Sequence, residues 1–306
     1  MDQTTPQLPV PPGVPIGQPI ARMANQPVQN PLMKHFRQPA IYMRLPTGGK
    51  YWKEGSLDMP ENGEIAVYPM TTKDELILRT PDALLNGQGV IDVIQSCVPS
   101  IKNAWEMPST DVDSVLISLR IASYGHGMDF ESKCPHCGAE DTYKMDLRTL
   151  LETIQMPDFD HLLDLGQLAI KWRPQRYFDI NATNQIQFEI QRIDQSVRDL
   201  EDSNPDKQRI IREQMQRLID LNFEVLTRCT EYIIDTSTGT KVTDPNFIRE
   251  FYVNVESKSL KQLQEQLQEL VKVANVQPQK VNCSSCSGAI DLEILFDYAN
   301  FFVVGF

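Results

Sequence analysis

Three observations predict an α+β protein in which a small β element is split by a long, mainly helical insertion and preceded by an extended arm. Two Cys-x-x-Cys turns, each leading into an alternating strand-like run, occur at Cys134/Cys137 and Cys283/Cys286. Between them, much of the text places apolar residues at helical steps of three and four. Ahead of both, residues 1–32 hold eight prolines and few aromatics.

The arm, residues 1–38, is Pro/Gln-rich. Proline fixes φ and removes the amide donor, so neither a helix nor a central strand is expected there. Two readings stay open, a disordered tail and an extended arm that orders against a partner.

Residues 39–150 read as a mixed α/β region. In "AIYMRLPTGGKYW", Ile41, Met43 and Leu45 share one face until Gly48-Gly49 breaks the pattern, giving strand then turn. "EIAVYPM" is a second strand. Helical text follows: "TTKDELILRTPDALLNG", stopping at Gly87, and "VIDVIQSCV", with Ile91, Ile94 and Val98 on one side. Thr110 with Asp113 three positions on predicts a capping box and a helix starting near 111, stopped by Gly125.

Residues 151–275 read as the helical insertion. Ile186, Ile190, Ile193, Val197 and Leu200 make one amphipathic stripe. A long helix is predicted from about 206 to 234, with Ile211, Met215, Leu218, Val225, Cys229 and Ile233 on its apolar face. A third stripe runs through Leu260, Leu263, Leu267, Leu270 and Ala274. Such stripes make a bundle core; coiled-coil assembly with another chain is the alternative. "AIKWRP" (169–174) reads as a short strand, and "DTSTGTKVTDPNF" as a turn before a helix at about 245. Cys97 and Cys229 sit within apolar patterns and read as small core hydrophobes.

Residues 276–306 return to strand-like text and carry the second Cys-x-x-Cys turn. Two residues between cysteines let both sulfurs reach one ion, and two such turns complete a closed four-thiolate site of the structural zinc type. Cys134, Cys137, Cys283 and Cys286 are therefore the expected ligands of a structural Zn2+ in a split zinc-ribbon-like element. With 145 residues between Cys137 and Cys283, the insertion becomes a long loop closed by the ion. Metal-free reduced turns and a disulfide-forming pair are the alternatives.

Charge is unevenly placed. Residues 1–50 carry a net +4 within a chain of −12, which leaves −16 on residues 51–306. So acidic a body repels a phosphate backbone and argues against a duplex-binding surface. With no apolar run of membrane-spanning length and no signal-peptide pattern, the chain reads as cytosolic at synthesis.

No catalytic residue is predicted. Four cysteines leave a metal no open position, and His126 followed by Gly127-Met128 does not fit the zinc-deaminase pattern. "PTGGKY" lacks the elements of a phosphate-binding loop, and His35, His126, His136 and His161 are scattered. His136, between two ligands, is expected to face solvent. Acidic groups such as Asp111/Asp113 and Asp158/Asp160/Asp164 read as caps and solvated faces.

The string "YPMTTKDELILRTPDALLNGQGVIDVIQSCVPSIK" resembles the T4-like bacteriophage baseplate family. The similarity extends to "DVDSVLISLRIASYGHGMDFE", "CPHCG", upstream "LPTGGKYW" and the closing "CSSC…DLEILFDYANFF". It covers roughly residues 40–150 and 240–306, and Ser287 departs from Gly138 of the first turn. The resemblance implies a non-enzymatic, hetero-oligomeric component of a contractile-tail baseplate, of its hub or of hub assembly. Its partners would be other baseplate proteins, not nucleic acid or membrane, in the virion tail and, during assembly, in the host cytoplasm. An assembly chaperone absent from the finished particle is the first rival, and a zinc-ribbon nucleic-acid-binding factor the second.

Overall fold

A computed structural model of the chain describes residues 30–80, 87–198, 205–292 and 294. The arm before Asn30, with seven of its prolines, lies outside the described residues, as do Leu200 and residues 295–306. Pro31–His35 form one 3-10 turn within a unit that ends at Phe36. Residues 37–306 make a second unit.

This second unit is a mixture of helices and small antiparallel sheets. Its first core forms around β1 (Ile41–Met43) and β2 (Ile65–Val67), which pair antiparallel with Ile41 opposite Val67. Among the described residues helices α1 (Thr72–Leu78), α2 (Gln88–Cys97), α3 (Ser109–Tyr124) and, later in the chain, α4 (Leu147–Thr153) follow. Val112, Val115, Leu116, Ile117 and Leu119 of α3 are all buried, as are Thr110, Asp111, Ser114, Ser118 and Arg120, so the helix is enclosed on several sides by the first core. Cys97 is fully buried there, as a small hydrophobe should be.

Arg37 pins the start of this unit. Its guanidinium donates to the Pro69 and Ser96 carbonyls, the Ser96 hydroxyl and the Cys97 sulfur, and pairs with Asp74 at 3.1 Å. Asp74 also closes a capping box with Thr71 at the start of α1. Burial pushes the Asp74 carboxyl up, but bonds from Thr71 and Ser96 and the Arg37 charge outweigh it, leaving it below its usual range.

The helix containing Thr110 departs from expectation at its N-terminus. It begins at Ser109 behind Pro108, with no side-chain cap, and the buried Thr110 hydroxyl has no hydrogen-bond partner among the described residues. Asp111 does the fixing instead, and it is buried, not solvated. Its carboxylate accepts from the Thr47 N–H at 3.0 Å, the Thr47 hydroxyl at 2.6 Å and Trp52 Nε1–H at 2.8 Å. Gly87 caps the start of α2 with φ 75°, and α1 ends at Leu78; residues 81–86, through which the expected helix would run to Gly87, lie outside the described residues. Gly125 closes α3 as expected, with φ 87°.

A second core surrounds a four-stranded antiparallel sheet in the order β5 (Leu162–Asp164), β6 (Leu168–Trp172), β7 (Thr230–Asp235), β8 (Thr240–Val242). Two helices, α5 (Tyr177–Arg198) and α6 (Pro205–Cys229), connect β6 to β7 as an antiparallel hairpin. Ile190 buries on α5, as its stripe requires. The long helix predicted to 234 stops at Cys229. Thr230, Tyr232, Ile233 and Ile234 favour the pleated surface, and β7 gains ladders on both sides, from β6 and β8. Two further helices, α7 (Pro245–Asn254) and α8 (Ser257–Lys272), complete this core, burying Ile248, Tyr252, Leu263 and Leu267. Among the described residues no helix is long and apolar enough to cross a membrane.

Candidate metal centre

Each Cys-x-x-Cys turn sits at the tip of a β-hairpin. The first hairpin pairs β3 (Gly127–Lys133) with β4 (Glu140–Asp146), and the second pairs β9 (Gln279–Asn282) with β10 (Ala289–Leu292). Alternation sends Phe130, Tyr143 and Met145 of one, and Val281, Ile290 and Leu292 of the other, into a small shared core with Cys134 and Cys283. That core brings the two tips together.

The tips are built alike. In the first, Cys134 N–H donates to the Ala139 carbonyl and Gly138 N–H to the Cys134 carbonyl. In the second, Cys283 N–H donates to the Gly288 carbonyl and Ser287 N–H to the Cys283 carbonyl. Gly138 has φ 73°, and Ser287, its counterpart, has φ 54°. The turn needs a left-handed residue there, which glycine adopts freely and serine adopts with strain. Gly288 is needed for another reason. A Cβ on it would lie 3.1 Å from the His136 ring and 3.3 Å from the Cys286 sulfur.

All four sulfurs lie within 4.8 Å of one another. Across the hairpins, Cys134 and Cys286 sulfurs are 3.8 Å apart, and those of Cys137 and Cys283 are 3.7 Å apart. Cys134 and Cys283 are buried, whereas Cys137 and Cys286 are exposed. The four predicted ligands are thus gathered at one point from opposite ends of the sequence. Among the described residues no other group of three or more His, Cys, Asp or Glu could hold a metal ion.

Two polar bonds tie the tips together besides the sulfurs. His136, solvent-facing as expected, bonds the Ala289 carbonyl across the junction at 3.2 Å, and Ser284 N–H donates to Asp141 at 3.1 Å. Neither pairing had a signal in the sequence beyond proximity to a cysteine.

The electrostatics suit a cation. The Cys137 N–H, with help from His136, draws the Cys134 thiol down to about 7. The Ala139 N–H also favours a Cys137 thiolate, yet sharing hydrogen bonds with Cys134, Cys283 and Cys286 holds its proton on, up to about 12. One thiol ionises readily and its neighbour resists, because adjacent negative charges repel without a positive centre. The buried Tyr143 hydroxyl has no hydrogen-bond partner among the described residues, and it packs in the same small core. Cys229 stays outside the cluster as a buried thiol, pushed up to about 12 by burial.

Asp158, Asp160 and Asp164 do surface work. Asp160 bridges Lys171 and Lys50, and Asp158 and Asp164 accept backbone N–H groups two residues on. Buried Asp179 is held by Arg176 and Arg228, and Arg176 also reaches Glu106. That network ties α5 and α6 to the first core, and it too was invisible in the sequence.

A family model described as T4 bacteriophage base plate protein matches residues 43–303. Searches of curated proteins and of solved structures return no match. The match spans most of the chain and includes both cysteine turns and everything between them, so the chain belongs to the T4 bacteriophage base plate protein family.

Proposed function

We propose that this protein is a structural part of the hub region of a contractile-tail phage baseplate, acting by binding neighbouring proteins. Cys134, Cys137, Cys283 and Cys286 would hold a structural Zn2+. Residues 39–150 and 276–306 would then form one zinc-stapled platform, with residues 151–275 inserted as a docking body and residues 1–38 lying along a neighbour as an arm.

The observation that carries this reading is the meeting of four sulfurs from two distant turns in a chain of the baseplate family. A tetrahedral site with metal–sulfur bonds of ~2.3 Å has sulfur–sulfur edges of about 3.8 Å. The cross-hairpin separations of 3.8 Å and 3.7 Å match those edges. Zinc there would supply cohesion and no chemistry, since four thiolates complete its coordination.

Two measurements test the reading. Protein purified without chelator should contain close to one zinc per chain by elemental analysis, and less than half an equivalent would refute the metal. Mass spectrometry of finished particles should find the chain. A chain needed for hub assembly yet missing from particles would be an assembly chaperone instead.

A further inference from the structure

The two metal turns share a backbone but differ at the residue after the first cysteine, which is Pro135 in one and Ser284 in the other. Proline has no amide hydrogen, so the second turn carries a donor that the first lacks. The opposite hairpin supplies the acceptor. Asp141 Oδ2 receives the Ser284 N–H at 3.1 Å, while Oδ1 receives the N–H of Thr142 on its own strand at 2.9 Å. Bonding from the Ser284 hydroxyl and amide holds that carboxyl below its usual range. Counted from the first cysteine of each turn, Asp141 corresponds to Ile290, which is apolar and buried. Donor and acceptor are thus complementary between the two halves, not repeated in each.

His136 crosses the junction from the first turn. Its Nε2 lies 3.2 Å from the Ala289 carbonyl, and because a carbonyl only accepts, Nε2 carries the hydrogen. The ring also rests on Gly288, where a Cβ would come within 3.1 Å of it. The Cys137 N–H and, with it, the His136 N–H bond the Cys134 sulfur and favour its thiolate. One residue therefore supports a ligand with its backbone and grips the opposite hairpin with its side chain.

We propose that Asp141 and His136 are positioning residues of the metal centre, clamping the two turns in four-sulfur register from outside the ligand set. The inference rests on the metal reading above and deepens it. Cys137 and Cys286 are exposed, so a competing ligand from solution can reach a bound ion. Release then requires the cross-hairpin sulfur pairs, at 3.8 Å and 3.7 Å, to separate. The tips share only a small core, and the bonds from Asp141 and His136 span the same gap, so they oppose that separation. Groups that orient a metal's ligands without touching the ion change its affinity by about 10–100-fold. Both contacts here are exposed to water, which places them at or below the lower end of that range.

The test challenges the zinc-loaded full chain with a chromophoric chelator, so that zinc transfer reports both affinity and release rate. Asp141→Ala should weaken zinc by about fivefold or more and His136→Ala by about threefold, with faster release in each. Asp141→Asn and His136→Gln keep an acceptor and a donor, and each should recover part of the loss. Ser284→Pro copies the first turn and removes the donor, so Asp141→Ala added to it should change release little further. Cobalt-substituted variants should keep the absorption bands of a tetrahedral four-thiolate site, because the ligand set is untouched. Cys97→Ala, which perturbs packing in the first core, should leave zinc release at the parent rate. Affinities within about twofold of the parent for both alanine variants would overturn the proposal, as would an Asp141→Ala effect undiminished beside Ser284→Pro. A parent that takes up no zinc would overturn the metal reading and this inference together, whereas unchanged variants of a zinc-binding parent would overturn this inference alone.

Discussion

Cys137 and Cys283 stand 146 positions apart, and their sulfurs are 3.7 Å apart. The shared core beneath the tips holds five buried residues, two of them the cysteines themselves. So small a core cannot by itself hold two hairpins together against the entropy of closing the loop between them.

The first prediction follows from that imbalance. Cys283→Ser or Cys134→Ser should abolish stoichiometric metal and lower unfolding free energy by roughly 3–5 kcal/mol, the scale for removing a cross-link around so long a loop. Chelator treatment of the parent should reproduce the loss, and added zinc should reverse it. Cys97→Ala should leave metal content untouched, since its sulfur lies in the first core. Parent protein whose urea midpoint ignores chelator would contradict the account.

Much of this centre was legible because ligand spacing is local chemistry. A turn two residues wide shows in the letters wherever it occurs, and Cys134, Cys137, Cys283 and Cys286 are indeed brought together. What escaped was set by tertiary partners. Ile233 continues the helical step from Cys229, yet it forms a strand because β6 and β8 stand ready to pair with it. Ile211 and Met215 fit a core pattern but are exposed, whereas Leu221 and Leu226, farther along the same helix, are buried. Asp111 looked like a surface cap, and only the fold could bring Thr47 and Trp52 to it.

A second prediction concerns the left-handed residue in each metal turn. Ser287 adopts φ 54° where Gly138 has φ 73°. Ser287→Gly should relieve strain and stabilise the protein by a few tenths to about 1 kcal/mol, partly offset by the looser unfolded chain. Gly138→Ala should cost about 1 kcal/mol or more at the equivalent place. Thermal unfolding of both variants in zinc-containing buffer decides the matter; opposite signs are required.

A third prediction addresses Arg37, which spends its guanidinium on Pro69, Asp74, Ser96 and Cys97. Arg37→Ala should destabilise by roughly 2–4 kcal/mol, because it leaves the buried Asp74 carboxylate without its cation. Arg37→Lys should recover only part of the loss, since an ammonium cannot fork across so many acceptors. Asp74 is held below its usual range, so its contribution is complete above the ordinary carboxylate pKa of 3.8 and fades as pH falls below it. The cost of Arg37→Ala, read by urea denaturation, should therefore be larger at neutral pH than in acid.

The last prediction turns on the opposite sign at Asp111. Burial raises its carboxyl to about 6 from an ordinary 3.8, although Thr47 and Trp52 donate hydrogen bonds that favour the ionised form. The folded protein therefore holds this proton more tightly than the unfolded chain does. Stability from this group is complete below pH 3.8 and is lost as pH rises through about 6. A displacement of about two pH units corresponds to roughly 3 kcal/mol. Asp111→Asn removes the titration and keeps the shape, at the cost of one mispaired donor. The stability advantage of the parent over Asp111→Asn should shrink by roughly 2–3 kcal/mol between pH 4 and pH 7, measured by urea denaturation at both. The direction is diagnostic, because Asp74 moves the other way over acidic pH and cannot mimic it in this pair. A parent–variant difference that stays constant, or grows toward neutral pH, would mean that the three donors dominate burial and that Asp111 stays ionised throughout.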